Sequence, residues 1–243
     1  MFYSRNEIAA VICHYYSFLC RLHLGPDALG MPPDGGWTSI PADALRALGK
    51  TEEVIDLLRH LPYINNPEGE SHILPETDCT DYAHLPESVL EQFKREGSSA
   101  LIDPPMADDE SLDPACVCLA RGRRHAWSLI LDLTHGTVIW HSNDNASWRD
   151  EEYDLGNRLP EDSPRRVDGP EWREQLTYDV KYFFGEFCRK RINDMNWLGH
   201  TDGELRTVDL TQEVDEEDEI LRQILVDAGF PGDRWWHGFD RGQ

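Results

Sequence analysis

Hydrophobic positions near the start of the chain recur at intervals of three and four. Ile8, Val11, Ile12, Tyr15, Leu19 and Leu22 share one helical face, so an amphipathic helix is expected over residues 7–24. The turn-rich stretch "MPPDGGW" follows and delivers Trp37. A short helix over 42–48 is closed by Gly49. Thr51 then caps a second helix, which buries Val54, Leu57, Leu58 and Leu61 and stops at Pro62. Residues 63–85 read as loop with one short strand at Ile73–Leu74. Pro86 starts another helix, with Val89, Leu90 and Phe93 inward and an end at Gly97.

Beyond the polar stretch "DPPMADDESLDP", taken as a surface loop, the period shortens. "ACVCLAR" is almost wholly apolar and reads as a central strand or a short buried helix. "AWSLILD" and "TVIWH" flank a turn, so strands near 115–121, 126–133 and 137–141 are expected as consecutive antiparallel neighbours. A charged connection covers 142–170. Helical spacing then resumes with Trp172, Leu176, Val180, Phe183, Phe187 and Ile192, predicting the longest helix over 171–195. A last amphipathic helix carries Ile220, Leu221, Ile224 and Leu225 and stops at Gly229-Phe230-Pro231. Helices, then hairpin-linked strands, then helices define an α+β fold: a central, mainly antiparallel sheet with helices packed around it and helical additions at both termini. The expected organisation is one domain over 1–243. Its core spans about 37–200, the N-terminal helix precedes it, and an acidic, helical extension covers 204–243.

Charge narrows the function. With 46 acidic against 23 basic residues the formal charge is -23. Such a surface repels phosphate backbones and anionic lipid, so neither nucleic acid nor a membrane is an expected partner. It attracts a basic protein, or simply keeps the chain soluble. No apolar run approaches the roughly 20 residues that cross a bilayer. His14, Tyr15 and Tyr16 interrupt the apolar N-terminal stretch, which separates it from a secretory signal. The six cysteines show neither C-x-x-C nor zinc-site spacing, and are read as reduced thiols of a cytoplasmic or nuclear protein.

The stretch with the densest chemistry is "SLILDLTHGTVIWHSND", Ser128 to Asp144. In extended chain His135 and His141 lie roughly 20 Å apart, too far to share a metal. If Thr134, His135 and Gly136 form a three-residue loop, Asp132 pairs with Val138 and His141 with Leu129, placing Asp132 and His141 on opposite faces. A longer loop changes that register. On this geometry the segment is a structural hairpin whose Gly136 supplies a positive φ. No nucleotide, hydrolase, zinc or calcium motif occurs elsewhere. No bound zinc or iron, no cofactor and no identifiable catalytic residue are therefore expected. Seven of the eleven residues from Asp209 to Glu219 are acidic. They are either solvated or part of a docking face, with Asp215, Glu216 and Glu217 at its centre. Trp235 and Trp236 either dock back on the domain or anchor a partner.

"GGWTSI", "LRALGK", "LRHLPYI" and "LILDLTHGTVIWH" together resemble a fungal-type branch of the SUKH superfamily, the α+β fold of the yeast cell-wall assembly regulator and of bacterial toxin-immunity proteins. Trp37, Leu48-Gly49, Leu61-Pro62-Tyr63, Asp132 and Gly136 stand where that family has an aromatic lead-in, a Leu-Gly, a Leu-Pro with an aromatic, and a hairpin with Asp before its turn and Gly within it. The match spans about residues 37–141, and a whole helix separates its Leu-Gly from its Leu-Pro. The resemblance implies a binding or scaffold protein without catalysis. Two readings follow: a protein-interaction module that docks a basic partner, or a small-molecule enzyme whose site no sequence motif reveals.

Overall fold

Ser4 starts the first helix. Its hydroxyl accepts from the Glu7 amide while the Glu7 carboxylate accepts from the Ser4 amide, a capping box that opens α1 (Arg5–Leu19). The structure is a computed structural model that describes residues 2–66, 69–96, 102–104, 106, 111–122, 126–142, 157–200, 203–208 and 216–230. A π-helical turn, Cys20–Leu24, continues α1 to Gly25. Ile8, Ile12, Tyr15 and Leu19 are fully buried, so α1 is a core element.

The next helices follow the sequence pattern. α2 (Ala42–Ala47) ends at Gly49, whose φ of 78° suits glycine. Thr51 caps α3 (Glu52–His60) through its hydroxyl to the Val54 amide. A two-residue ladder joins β1 (Leu29–Gly30) to β2 (Tyr63–Ile64). Trp37 donates its indole N–H to the Leu61 carbonyl at 2.8 Å, and the Tyr63 hydroxyl donates to the Leu58 carbonyl at 2.7 Å. α4 spans Glu87–Glu96.

The central sheet is a six-stranded antiparallel meander in chain order: β3 (His72–Leu74), β4 (Thr77–Cys79), β5 (Cys116–Gly122), β6 (Trp127–Asp132), β7 (Thr137–Ser142) and β8 (Leu176–Asp179). The three strands expected at 115–141 are consecutive antiparallel neighbours, as the alternation predicts. Two expectations are overturned. Asp132 pairs with Thr137, so Leu133–Gly136 is a four-residue loop, and Ser128 pairs with His141. Paired residues share a face, so Asp132 and His141 lie on the same side of the sheet. Nor is 171–195 one helix. Glu171–Glu174 is a 3-10 turn, and residues 176–179 pair with β7 as the edge strand β8. Only then does a helix run over 180–193, as α5 (Val180–Tyr182), a π turn (Phe183–Phe187) and α6 (Cys188–Asn193). Asp179 caps it by accepting from the Lys181 and Tyr182 amides.

One hydrophobic cluster runs from Ile8 to Phe230 and fills the space between the helices and one sheet face, where Val117, Leu129, Leu131, Val138 and Trp140 point. The other face carries a smaller cluster of Cys116, Cys118, Ile130 and Ile139, covered by Leu112 and Trp172. The stretch before β5 is thus not wholly surface loop. A second hairpin, β9 (Trp197–Gly199) with β10 (Leu205–Thr207), sits beside β3 and supports α7 (Glu216–Asp227). Among the described residues no helix is long and apolar enough to cross a membrane.

Candidate functional site

α7 grows out of the acidic run and carries apolar residues on two sides. Leu225 and, less fully, Leu221 pack into the main core. Ile220 and Ile224, one turn apart, face outward and are 55% and 57% exposed; Val226, on a different side of the helix, is 51% exposed. The four apolar residues of the expected amphipathic helix therefore split between core and solvent. Glu216, Glu219, Gln223 and Asp227 are exposed around the outward pair. The helix is fixed at its far end, where Gly229 takes a φ of 91° and the Phe230 amide bonds to the Leu225 carbonyl at 2.9 Å. Phe230 itself is buried. The outcome is an anchored helix displaying an isoleucine ridge flanked by carboxylates.

Of the residues singled out in the sequence, Glu216 lies exposed at the start of this helix. Glu217 belongs to α7 by its backbone, and its side chain lies outside the described residues, as do Asp215, Trp235 and Trp236. One member of the acidic run behaves differently. The Asp218 carboxylate turns inward and meets His200 Nε2 at 3.4 Å, so the run does contribute to a buried contact.

The hairpin that carries the densest chemistry is a structural hub. Asp132 is 1% exposed. Its carboxylate accepts from the His135 amide at 3.1 Å, the His135 ring Nδ1 at 2.9 Å and Arg173 Nη1 at 3.0 Å. Burial pushes the Asp132 carboxyl up, but the hydrogen bonds from His135 and Arg173 outweigh it and hold the group below the usual carboxylate range. Arg173 also donates to Asp113 and lies 3.4 Å from Cys116 Sγ, tying the segment before β5 to the 3-10 turn. Gly136 has a φ of 64°, and a Cβ there would meet the Tyr3 ring at 2.7 Å. Arg165 donates to the carbonyls of His135 and Gly136 and pairs with Asp179 at 2.8 Å. The Asp132 carboxylate, the His135 amide and Nδ1, and the His135 and Gly136 carbonyls are all engaged in holding the turn.

All six cysteines are free. Burial raises the thiols of Cys20, Cys79, Cys116, Cys118 and Cys188, pushing Cys79 up to about 11 and Cys20 up to about 12, which disfavours their thiolate forms.

One cluster escaped the sequence reading. Glu70, His72 and Asp78 bring ligand-type atoms within 4.8 Å of one another, because His72 and Asp78 are paired across the β3–β4 hairpin. His72 Nε2 faces the two carboxylates at 3.9 and 4.0 Å. Its Nδ1 accepts the Leu205 amide hydrogen at 3.1 Å, which places the neutral ring's proton on Nε2. A metal needs a lone pair at that nitrogen, and the Leu205 bond leaves Nε2 of the neutral ring carrying the proton instead, facing the carboxylates beyond hydrogen-bond distance. Recognising the pair required the β4 strand, for which "TDC" alone gives too short a pattern. No family model, curated protein or solved structure matches the chain.

Proposed function

We propose that this chain is a non-catalytic interaction or scaffold module of SUKH-like type that docks a basic protein partner on the outward face of α7. The observation that carries the reading is the exposure of Ile220 and Ile224 among carboxylates, on a helix already anchored by Leu225 and Phe230. Solvated apolar ridges of this kind, rimmed by one sign of charge, suit a partner with apolar side chains among lysines and arginines. The formal charge of -23 works in the same direction, by raising the encounter rate with a basic surface. The engagement of the Asp132 hairpin in its own turn further supports a role without chemistry there. The SUKH-type positions Trp37, Leu61 and Tyr63 likewise pack together as framework.

A synthetic amphipathic Lys/Leu peptide provides the test. Its association rate is expected to fall steeply as salt rises toward physiological strength, where the Debye length is about 8 Å. Replacing Asp215, Glu216 and Glu217 by Asn or Gln should slow association while leaving thermal stability equal or slightly higher. A rate indifferent to salt and to the triple change would make the acidic segment a solvated face.

A further inference from the structure

A groove of about 410 Å³ lies between α1 and the 180–193 helix, and no residue of α7 lines it. Its walls are two helix faces. Glu7, Ala10, Val11 and His14 come from one, and Lys181, Phe184, Gly185 and Arg189 from the other. Each set has helical spacing, and the helices run parallel: Glu7 meets Lys181 at 2.7 Å, and Phe18 lies under Arg189 at 5.2 Å. The two ends differ. At the first, the Glu7–Lys181 pair neutralises itself, and the Lys181 and Ser4 hydrogen bonds pull the Glu7 carboxyl down to about 2. At the second, His14 and Arg189 have no ion-pair partner among the described residues. The Arg189 guanidinium, stacked over Phe18 and without a carboxylate partner among the described residues, is thus a basic group facing the groove in a chain of charge -23.

The floor between the ends is apolar and unusually open. Gly185 sits within the π turn, and a Cβ there would approach only Val11, at 3.8 Å. Crowding therefore does not require glycine, and its effect is to leave room. π turns inside helices interrupt regular packing and recur at binding sites. From Glu7 to Arg189's end the groove spans seven residues of α1, about 10 Å, which matches an acyl chain of about eight carbons.

We propose that this groove binds a linear acyl carboxylate, its head between Arg189 and His14 and its chain along Ala10, Val11 and Gly185. The guanidinium supplies paired donors in the geometry a carboxylate accepts, and the closed Glu7–Lys181 end offers no second anion site. The site is independent of the α7 face.

Calorimetric titration of the full chain with octanoate tests the proposal. Saturable one-to-one binding is expected. Butyrate should bind about tenfold more weakly, having lost four methylenes of which part stay wet in an open groove. Octylammonium should not bind. Arg189→Gln, a partly exposed position, should weaken octanoate about tenfold through the lost charge-assisted hydrogen bonds. Gly185→Leu should abolish binding by filling the floor; if it does not fold, Arg189→Gln decides alone. The proposal is overturned if octanoate fails to saturate, if octylammonium binds equally well, or if Arg189→Gln leaves affinity unchanged. Binding of an acidic Glu/Leu peptide in place of octanoate would also overturn it, and would make the groove a peptide site.

Discussion

α1 and α7 are both amphipathic helices near the ends of the chain, and they treat their apolar residues in opposite ways. α1 buries Ile8, Ile12, Tyr15, Tyr16, Phe18 and Leu19. The Tyr15 hydroxyl, deep in the core, donates to the Ile73 carbonyl at 2.6 Å. α7 inserts Leu225 and leaves two isoleucines and a valine in water. Folding explains the core-facing side of the first helix in full and only part of the apolar side chains of the second. Apolar area left in solvent contributes nothing to stability, so the outward isoleucines of α7 call for a function that the buried face of α1 does not.

The comparison breaks first where burial is deepest. Ile12→Ala should destabilise the chain by about 2 to 5 kcal/mol, the range for emptying a buried aliphatic site, and a denaturant melt reads it directly. A cost near zero would mean that α1 is not the core element described here.

Arg173→Met comes next, with an expected cost of roughly 3 kcal/mol, because it removes the cation paired with the buried Asp132 carboxylate and leaves only the His135 hydrogen bonds. The effect has a pH signature. Asp132 is held below the usual range when folded, so its ionised form stabilises the fold above the unfolded value of about 4, and that stabilisation fades as pH falls below it. The gap between the parent and the variant should therefore narrow on acidification below about pH 4. Stability curves taken at neutral and acidic pH measure it, and a gap that widens would contradict the Asp132–Arg173 pairing.

The smallest expected effect on stability is the most informative. Ile220→Ser with Ile224→Ser should change stability by no more than about 0.5 kcal/mol per site, since both side chains are already in solvent. A loss as large as that of Ile12→Ala would show that the ridge is covered within the folded chain.

The sequence made some of this legible and hid the rest for physical reasons. Strands β5 to β7 were readable from their apolar runs and turn residues. Their register was not: Ile130 and Ile139 blur an alternation that otherwise sets Leu129, Leu131, Val138 and Trp140 on one face against Ser128, Asp132, Thr137 and His141 on the other. A four-residue loop in place of a three-residue one then shifts every pair. The spacing of Trp172, Leu176, Val180 and Phe183 fits a helix, yet 176–179 completes the sheet edge, a tertiary preference that local spacing cannot express. Asp179, the cap, was the available signal. In α7, Ile220 with Ile224 and Leu221 with Leu225 are equally good one-turn pairs about 100° apart, so the pattern could not say which pair faces inward. The acidic residues were visible as a run, while their isoleucine neighbours emerged as a ridge only from the fold.

The most direct test of the α7 face is the affinity of the Lys/Leu peptide for the parent chain and for the Ile220→Ser/Ile224→Ser variant at physiological salt, where non-specific charge attraction is screened. The account predicts at least about tenfold weaker binding to the variant, from the lost burial of two isoleucines. It also predicts no difference for a Lys/Ser peptide of equal charge. Equal affinity of the Lys/Leu peptide for both proteins would contradict it.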